Sequence, residues 1–410
     1  MNTFKNNLQI FTLIGFSLIV FASCNQTKTT VKVTELKTEK EISDQLKWSE
    51  RLALTLMKHH PEAYQIDDKT TPKWDYVHGL VLTSFEQLYK RTNDKKYFDY
   101  IKGYADACIN SDGTIPSYKF KDYNIDMIEA GNILFNLYNT TKEEKYLKAI
   151  QLLRKQLAEH PRTSEGGFWH KNRYPSQMWL DGLYMGAPFY TRYTVEFENG
   201  KNLSDVAKQF ELIQKHALDP KTGLLYHGWD ESKAMGWADK VTGTSPNFWS
   251  RSLGWYAMAL VDVLDYFPEE HPKHEELVGY LNQLAVAITK QQHESGLWYQ
   301  VTDMGHKEGN YLEATGTAMF TYALAKGVNK GYLPAQYKKV AIKAFDGLTR
   351  DLVKLGADGE VIITQACAVA GLGGNPYRDG SYEYYINEKK KDNDPKATGP
   401  FILAALELNK

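Results

Sequence analysis

The chain has 410 residues, with 49 Lys and Arg against 50 Asp and Glu, so its formal net charge is −1. This balance gives no electrostatic reason to expect nucleic acid or an anionic membrane surface as a partner. Hydrophobic residues make up 42% and charged residues 24% of the chain, which excludes a disordered or polytopic membrane protein and predicts a globular body.

The N-terminus has the features of a bacterial secretory signal. An apolar run at residues 8–22 is shorter than the roughly 18 residues that a membrane-spanning helix needs. Small residues directly before Cys24 resemble a lipobox, which predicts that residues 1–23 are removed and that Cys24 is lipidated, with ordinary signal cleavage as the alternative. Residues 24–41 are polar and predict a flexible tether. We therefore expect a lipoprotein of the outer membrane that faces the periplasm.

A glycine followed by a strongly apolar stretch recurs along the rest of the chain, at Gly79, Gly131, Gly182, Gly254, Gly316 and Gly399. Amphipathic stretches lie between these segments and begin near Asp44, Lys95, Glu143, Val206, His274 and Tyr337. Each has one apolar stripe and one charged face, as surface helices do. The alternation predicts an all-α fold in which residues 42–410 form a single closed (α/α)6 barrel of inner and outer helices. An open α-solenoid is the alternative.

Five of the amphipathic stretches run into a glycine turn that is followed by apolar or aromatic residues: SDGTIPSY, SEGGFWH, KTGLLYH, ESGLWYQ and ADGEVII. These turns predict short extended loops between the helices. The sequence has no series of alternating strands, so it does not support a sheet-based fold.

Asp181 is the most informative polar residue because it interrupts the apolar segment MWLDGLYM. Ligands of helical barrels bind where loops and helix ends converge, so a carboxylate at such a position is a candidate for catalysis. We expect poor solvation to raise the pKa of Asp181, as a general acid requires. A buried aspartate satisfied by backbone amides or by an arginine is the alternative.

Asp126 interrupts the segment YNIDMI in a similar way and opens the second inner helix. A helix N-cap is the alternative interpretation of this residue. If Asp126 and Asp181 face one cavity, their repulsion would keep one of them protonated, and the two would titrate as a pair. The sequence leaves their separation open.

Cationic and aromatic residues alternate in three segments, WHKNRY (169–174), YHGWD (226–230) and WSRSLGW (249–255). Arginine can bind a carboxylate through two parallel hydrogen bonds, so the grouping predicts a pocket for an anionic ligand that carries rings or hydroxyls. Taken singly, each residue has a surface or core position as its alternative. The HExxH, CxxC and GxxxxGK[ST] motifs are absent from the sequence, which argues against a metalloprotease, a zinc module or a P-loop enzyme.

Four segments carry a family resemblance: GGFWHKNRYPSQMWLDGLYMGAPF (166–189), YHGWDES (226–232), FWSRSLGWYAMAL (248–260) and EATGTAMFTYALAKG (313–327). In order and spacing they resemble glycoside hydrolase family 105, the unsaturated rhamnogalacturonyl hydrolases. The resemblance covers most of residues 45–410. Unsaturated glucuronyl hydrolases, which act on glycosaminoglycan fragments, are similar but match less well in the stretch HKNRYPSQMW.

The resemblance implies a substrate made by a polysaccharide lyase, with a 4,5-unsaturated uronic acid at its non-reducing end. It implies that Asp181 donates a proton to C4 while water adds at C5, after which the hemiketal opens and the glycosidic bond is lost. Asp126 would place the uronate and tune Asp181. Pocket positions of the family correspond to His170, Lys171, His227, Trp249, Arg251 and Trp255, and its aromatic wall corresponds to Trp74 and Tyr76. The reaction calls for no metal and no organic cofactor.

Several alternatives remain open at this point. The substrate could be a rhamnogalacturonan fragment or a glucuronyl-rhamnose fragment of the sulfated algal polysaccharide ulvan. A non-catalytic glycan-binding lipoprotein would use the same pocket without turnover, and an inverting endo-glycanase would cut intact polymer. The sequence does not indicate the oligomeric state.

Overall fold

The computed structural model describes residues 41–410, so the predicted signal, the lipidation site Cys24 and the tether up to residue 40 lie outside the described residues. Ile42 is the first buried residue, and its backbone N–H donates to the carbonyl of Asp358 at 2.9 Å. The helices are α1 (Trp48–His59), α2 (Tyr76–Thr92), α3 (Lys95–Cys108), α4 (Asp126–Glu129), α5 (Asn132–Thr141), α6 (Glu144–Glu159), α7 (Leu180–Glu198), α8 (Leu203–Ala217), α9 (Ser250–Leu264), α10 (His274–Lys290), α11 (Ala314–Asn329), α12 (Gln336–Gly347), α13 (Tyr382–Asn387) and α14 (Pro395–Leu408).

The inner helices form a closed ring. Helix α2 packs against α4 and α5, and contacts continue from α4 to α7 and onward to α9, α11 and α14, which packs back on α2. The outer helices α1, α3, α6, α8, α10 and α12 each pack mainly on one inner helix, and α1, α3, α6 and α12 also contact a second one. The return of α14 to α2 excludes the open solenoid, and the predicted (α/α)6 barrel is confirmed. Among residues 41–410, the structure has no helix with the length and apolar character needed to cross a membrane.

With the exception of Gly182, the recurring glycines lie where inner helices approach one another closely. A Cβ atom at Gly254 of α9 would lie 2.7 Å from the Cβ of Met319 on α11, and one at Gly79 of α2 would lie 2.5 Å from the Cα of Ala130. Such distances are far shorter than van der Waals contacts between carbon atoms. The glycines therefore permit the tight ring of buried helices.

The second inner helix differs from the prediction because it is split into α4 and α5. The backbone N–H of Gly131 donates to Ile128, and the N–H of Leu134 donates to Gly131, so the chain passes through a tighter turn of i to i+3 bonds. The side chains of Leu153 and Phe189 press against Gly131 at this point. The break leaves Asp126 as the first residue of the short helix α4.

The predicted glycine turns are confirmed at Gly113, Gly166, Gly223, Gly296 and Gly359, whose φ angles lie between 76° and 100°. Short antiparallel ladders follow or connect these turns: β1 (Gln177–Trp179) with β2 (Gly228–Asp230), β3 (Trp298–Tyr299) with β4 (Leu312–Glu313), β5 (Val353–Leu355) with β6 (Val361–Ile363), and β7 (Ala366–Cys367) with β8 (Lys390–Lys391). Strand β1 leads directly into α7, and β4 leads directly into α11. The ladders thus fix the chain where these two inner helices begin.

Candidate active site

The N-terminal ends of the inner helices carry polar side chains. Asp126 begins α4, Asp181 is the second residue of α7 and Arg251 is the second residue of α9. Asp75, Glu313 and Asp394 precede α2, α11 and α14, and each carboxylate accepts a backbone N–H of the helix that follows. The partial positive charge of a helix N-terminus favours carboxylates at such positions.

Asp126 is held by two cationic or polar partners from the segment that precedes α7. Its Oδ2 lies 2.5 Å from the Nζ of Lys171, and its Oδ1 lies 3.3 Å from the Nε2 of His170. Helix α4 has no side-chain cap, and Ile125 is the residue before its first turn. The N-cap interpretation of Asp126 is therefore wrong, and the carboxylate belongs to an ion pair.

Asp181 faces His227 at the start of α7. Its Oδ2 lies 3.2 Å from His227 Nε2, which is within ion-pair distance but lacks hydrogen-bond geometry, and neither atom has a hydrogen-bond partner in residues 41–410. The β1–β2 ladder explains this placement, because the N–H of Leu180 donates to the carbonyl of His227 at 3.0 Å. His227 has no exposed surface, and its Nδ1 lies 2.7 Å from the hydroxyl of Tyr385.

The pKa of Asp181 departs from the expectation. Burial alone would raise this pKa, but the imidazoles of His227 and His170 and the guanidinium of Arg251 favour the ionised form and leave the pKa below its usual value. The prediction that the pKa of Asp181 is raised is therefore wrong for the protein without a bound ligand. The sequence showed the apolar surroundings of Asp181, whereas the compensating groups come from other segments.

His170 lies close to both of the predicted carboxylates, Asp126 and Asp181. His170 contacts Asp126 through Nε2, and its Nδ1 lies beside Gly182, the residue after Asp181. Burial lowers the pKa of His170 well below 6.5, and the neighbouring Lys171 adds to this effect. A neutral imidazole with one ring N–H thus stands next to both carboxylates.

Arg251 is a buried cation without a counter-ion. Its side chain is 2% exposed, its Nη1 donates to the carbonyl of Cys367, and its guanidinium carbon lies 4.5 Å above the ring of Trp249. Its Nε has no hydrogen-bond partner, and no carboxylate in residues 41–410 lies within ion-pair distance of it. Burying an unpaired charge is costly, so the site favours an incoming anion.

Of the two residues predicted to form the aromatic wall, Tyr76 lies against Trp255, which is itself only 1% exposed. Tyr76 is half-buried, and its ring meets Trp255 edge-on with centroids 6.3 Å apart, while Trp255 stacks on Tyr184 at 4.9 Å. Trp74 is fully buried and donates its Nε1–H to the carbonyl of Met127 at 2.7 Å. We therefore correct the expectation for Trp74, which supports the segment that carries Asp126 and offers no free ring face.

The remaining predicted residues lie in the same site but differ in how much of their surface is exposed. Lys171 is half-buried beside Asp126, whereas Trp249, like His227, has no exposed surface. Trp249 donates its Nε1–H to Gln300 at 3.0 Å, and Gln300 donates to the carbonyl of Tyr385 at 3.0 Å. Trp249 and His227 therefore hold the groups around Asp181 in place.

Three residues of the site were not predicted from the sequence: Tyr385, Gln300 and Trp179. Trp179 stacks on His170 with centroids 4.3 Å apart, and its position two residues before Asp181 was a usable signal. Tyr385 is 158 residues from its partner His227 and lies in a polar segment without a motif, so nothing in the sequence indicated it.

The arrangement can bind an anion and move a proton. Arg251 supplies a positive charge that no carboxylate of residues 41–410 contacts directly, and the protonation of Asp181 depends on the charges around it. A ligand carboxylate placed near Arg251 would offset the charge that now favours ionised Asp181. Residues 41–410 contain no group of three or more His, Cys, Asp or Glu side chains that could hold a metal ion.

Comparison with known proteins confirms the resemblance. The chain matches the family described as Glycosyl Hydrolase Family 88 over residues 48–410. A solved structure of a glycoside hydrolase from family 105 of C. acetobutylicum ATCC 824 is 45% identical, with a TM-score of 0.85, and the match covers 89% of this chain and 99% of that chain.

Two curated proteins are more distant relatives. The unsaturated rhamnogalacturonyl hydrolase YesR of Bacillus subtilis is 27% identical over 277 residues, which are 66% of this chain and 75% of YesR. The unsaturated 3S-rhamnoglycuronyl hydrolase of Alteromonas sp. strain LOR is 26% identical over 231 residues, which are 56% of this chain and 50% of that protein.

Proposed function

Because the chain belongs to glycosyl hydrolase family 88 and to glycoside hydrolase family 105, we propose that it removes the terminal 4,5-unsaturated uronic acid from oligosaccharides released by polysaccharide lyases. The general activity, that of an unsaturated glycuronyl or rhamnogalacturonyl hydrolase, follows from the family. The proposed substrates are unsaturated rhamnogalacturonan oligosaccharides, and the similarity to YesR supports this choice.

The observation that carries the proposal is the placement of a buried cation, Arg251, within electrostatic reach of Asp181. Asp181 lies within the electrostatic influence of Arg251, and Arg251 has no carboxylate partner in residues 41–410. A uronic acid brings the missing carboxylate, and a guanidinium binds it with two hydrogen bonds in one plane. The half-buried Lys171 adds positive charge on the Asp126 side of the site.

Substrate binding then prepares Asp181 for catalysis. The uronate carboxylate cancels part of the positive potential of Arg251 and adds negative charge near Asp181. Both effects raise the pKa of Asp181, so the carboxyl group takes up a proton when the substrate is bound. The enzyme thus acquires its general acid in the complex, although the free protein favours the carboxylate.

The chemical step hydrates the double bond. Asp181 gives its proton to C4, and positive charge develops at C5 and the ring oxygen. A water molecule adds its oxygen to C5 and returns a proton to Asp181, whose negative charge stabilises the cation. Opening of the hemiketal breaks the bond between C5 and the ring oxygen and leaves a ketone at C5. The former ring oxygen becomes the hydroxyl of a hemiacetal at C1, which collapses to an aldehyde and releases the rest of the oligosaccharide as an alcohol. Asp126, fixed by Lys171 and His170, orients the sugar beside Asp181.

Substitution of Asp181 tests the proposal. Asp181→Asn keeps the shape of the side chain but removes the acid, so we expect a folded protein that no longer consumes the double-bond absorbance of lyase-digested rhamnogalacturonan. Asp205→Asn is the matched control, since Asp205 also lies in the first turn of a helix and pairs with Arg162 at 2.7 Å. Full activity of Asp181→Asn would overturn the assignment.

A second substrate class has support from the Alteromonas relative. This protein is 26% identical to the chain, and YesR is 27% identical. Ulvan-derived oligosaccharides present an unsaturated glucuronate linked to sulfated rhamnose. A parallel assay of lyase-digested rhamnogalacturonan, ulvan and glycosaminoglycan separates the cases. Turnover of the ulvan fragments alone would replace the rhamnogalacturonan assignment and leave the chemistry unchanged.

A further inference from the structure

Behind Asp181, three side chains lie in a row: Tyr385, His227 and the carboxylate of Asp181. We infer that Tyr385 is a positioning residue that holds His227 in one tautomer and thereby sets the proton affinity of Asp181. The inference rests on the proposed function, because it concerns the acid of that reaction. It adds a role for α13, a helix that none of the sequence motifs includes.

Two close contacts join Tyr385, His227 and Asp181 into this row. The Tyr385 hydroxyl lies 2.7 Å from His227 Nδ1, and His227 Nε2 lies 3.2 Å from Asp181 Oδ2. Burial raises the pKa of Tyr385 well above its usual value, so the phenol keeps its hydrogen, and in the proposed arrangement it donates this hydrogen to Nδ1. In this tautomer the imidazole of His227 carries its ring hydrogen on Nε2, the nitrogen that faces the carboxylate of Asp181.

The phenol cannot turn away from His227. The ring of Tyr385 stacks on Trp249 with centroids 5.7 Å apart and planes 21° apart. The carbonyl of Tyr385 accepts a hydrogen bond from Gln300, and Gln300 also accepts the indole N–H of Trp249. This closed set of contacts fixes the ring and the backbone of Tyr385 together, so the position of its hydroxyl oxygen is built into the fold.

The charged and titratable groups around this row are few. Besides His227, the groups that act on Asp181 are His170 and Arg251. Tyr385 is influenced by Tyr384, Asp181, Cys367 and Arg378. His170 and Arg251 do not contact the hydroxyl of Tyr385, so its removal leaves their effect on Asp181 in place.

The hydrogen on Nε2 favours ionised Asp181. This hydrogen therefore disfavours protonation of Asp181 in the free enzyme. It also stabilises the Asp181 carboxylate that forms after the proton has moved to C4. Without the phenol, the imidazole can adopt the other tautomer, whose Nε2 lone pair accepts a hydrogen bond from protonated Asp181. Loss of the hydroxyl should then raise the pKa of Asp181.

The pH dependence of kcat/KM for Tyr385→Phe tests the inference. Activity requires protonated Asp181, so kcat/KM falls as the pH rises through the pKa of this group in the free enzyme. We expect this basic limb to move upward by about one pH unit in Tyr385→Phe. We also expect kcat to fall about tenfold, the effect of one lost hydrogen bond in the transition state.

Tyr256→Phe is the matched control. Tyr256 is also fully buried, and its hydroxyl accepts one side-chain hydrogen bond, from Gln214 at 2.7 Å, in the packing between α8 and α9. A merely structural role of Tyr385 predicts that both variants lose stability and that neither shifts the limb. An unshifted limb in Tyr385→Phe would overturn the inference.

A second variant covers the case in which Tyr385→Phe does not fold. Fluorotyrosine at position 385 keeps the ring and makes the hydroxyl a stronger donor, so the basic limb should move to lower pH. A limb that stays in place or moves to higher pH would contradict the proposed role. If the unmodified enzyme consumes no unsaturated uronide at all, the proposed function fails, whereas an active enzyme with these limbs unshifted contradicts the role of Tyr385 alone.

Discussion

Asp181 shows at the scale of one residue why burial and charge have to be weighed together. An apolar sequence around a carboxyl group predicts a raised pKa, yet His227 and Arg251 reverse the sign from other parts of the chain. The acid of the proposed reaction is therefore assembled only when a substrate carboxylate changes the balance of charge.

We expect kcat/KM and kcat to fall at two different pH values as the pH rises. The limb of kcat/KM reports Asp181 in the free enzyme, where the pKa is lowered, and the limb of kcat reports it in the substrate complex. Activity requires the protonated acid, so the kcat limb should lie at higher pH than the kcat/KM limb. Steady-state kinetics across the pH range measure both, and coincident limbs would contradict protonation by substrate binding.

Arg251 provides a second prediction at this scale. Arg251→Gln removes the buried charge that we assign to the uronate, and the loss of one charged hydrogen-bonded partner costs about 2 kcal/mol, or about thirtyfold in KM. Arg192→Gln is the control, because Arg192 is similarly buried but pairs with Glu196 at 2.6 Å. An unchanged KM in Arg251→Gln would show that the carboxylate binds elsewhere.

At the scale of helices, the recurring glycines connect the sequence pattern to the barrel. In Gly254→Ala the added methyl group would lie 2.7 Å from Met319, and such overpacking costs about 1–3 kcal/mol. Gly103→Ala on α3 has no atom within 4 Å of the new Cβ and should stabilise the helix by about 1 kcal/mol. Urea unfolding of the two variants measures these opposite signs, and equal effects would remove the packing explanation.

The helices were predictable because their signals are local. Helices α3 and α10 begin at Lys95 and His274, where the amphipathic pattern placed them. Helix α1 begins at Trp48, after the predicted Asp44, because Lys47 is still in an extended conformation. The β1–β2 ladder escaped prediction, since it joins two three-residue segments that are distant in the sequence.

The candidate site was predictable to the same extent. Asp126, Asp181 and Arg251 interrupt apolar helices and could be identified one at a time, whereas their hydrogen-bond partners depend on tertiary contacts. Tyr385 contacts His227 only because the chain returns, after α12, to the end of the barrel that carries Asp181. For the same reason, the direction of the pKa shift at Asp181 could not be derived from its own segment.

At the scale of the whole molecule, the closed ring gathers one site from most of the chain, from Tyr76 on α2 to Tyr385 on α13. Ring closure by α14 on α2 brings the last helix back to the first inner helix. Residues 1–40 lie outside the described part of the chain, so the role of this N-terminal segment is proposed from the sequence alone.

We propose that Cys24 carries a lipid that anchors the enzyme in the outer membrane, facing the periplasm. Cys24→Ser should release the protein from the membrane fraction while the turnover of unsaturated oligosaccharides in the extract stays the same. Fractionation followed by the absorbance assay measures both. A variant that remains in the membrane fraction would contradict lipidation at Cys24.

The most direct test of the proposed chemistry is a time course by proton NMR on lyase-digested rhamnogalacturonan. Hydration of the double bond predicts that the vinyl proton at C4 disappears at the rate at which the shortened oligosaccharide appears, without free unsaturated uronic acid on the way. Attack at the anomeric carbon would instead release a uronic acid that still carries its vinyl proton, and that result would contradict proton transfer from Asp181 to C4.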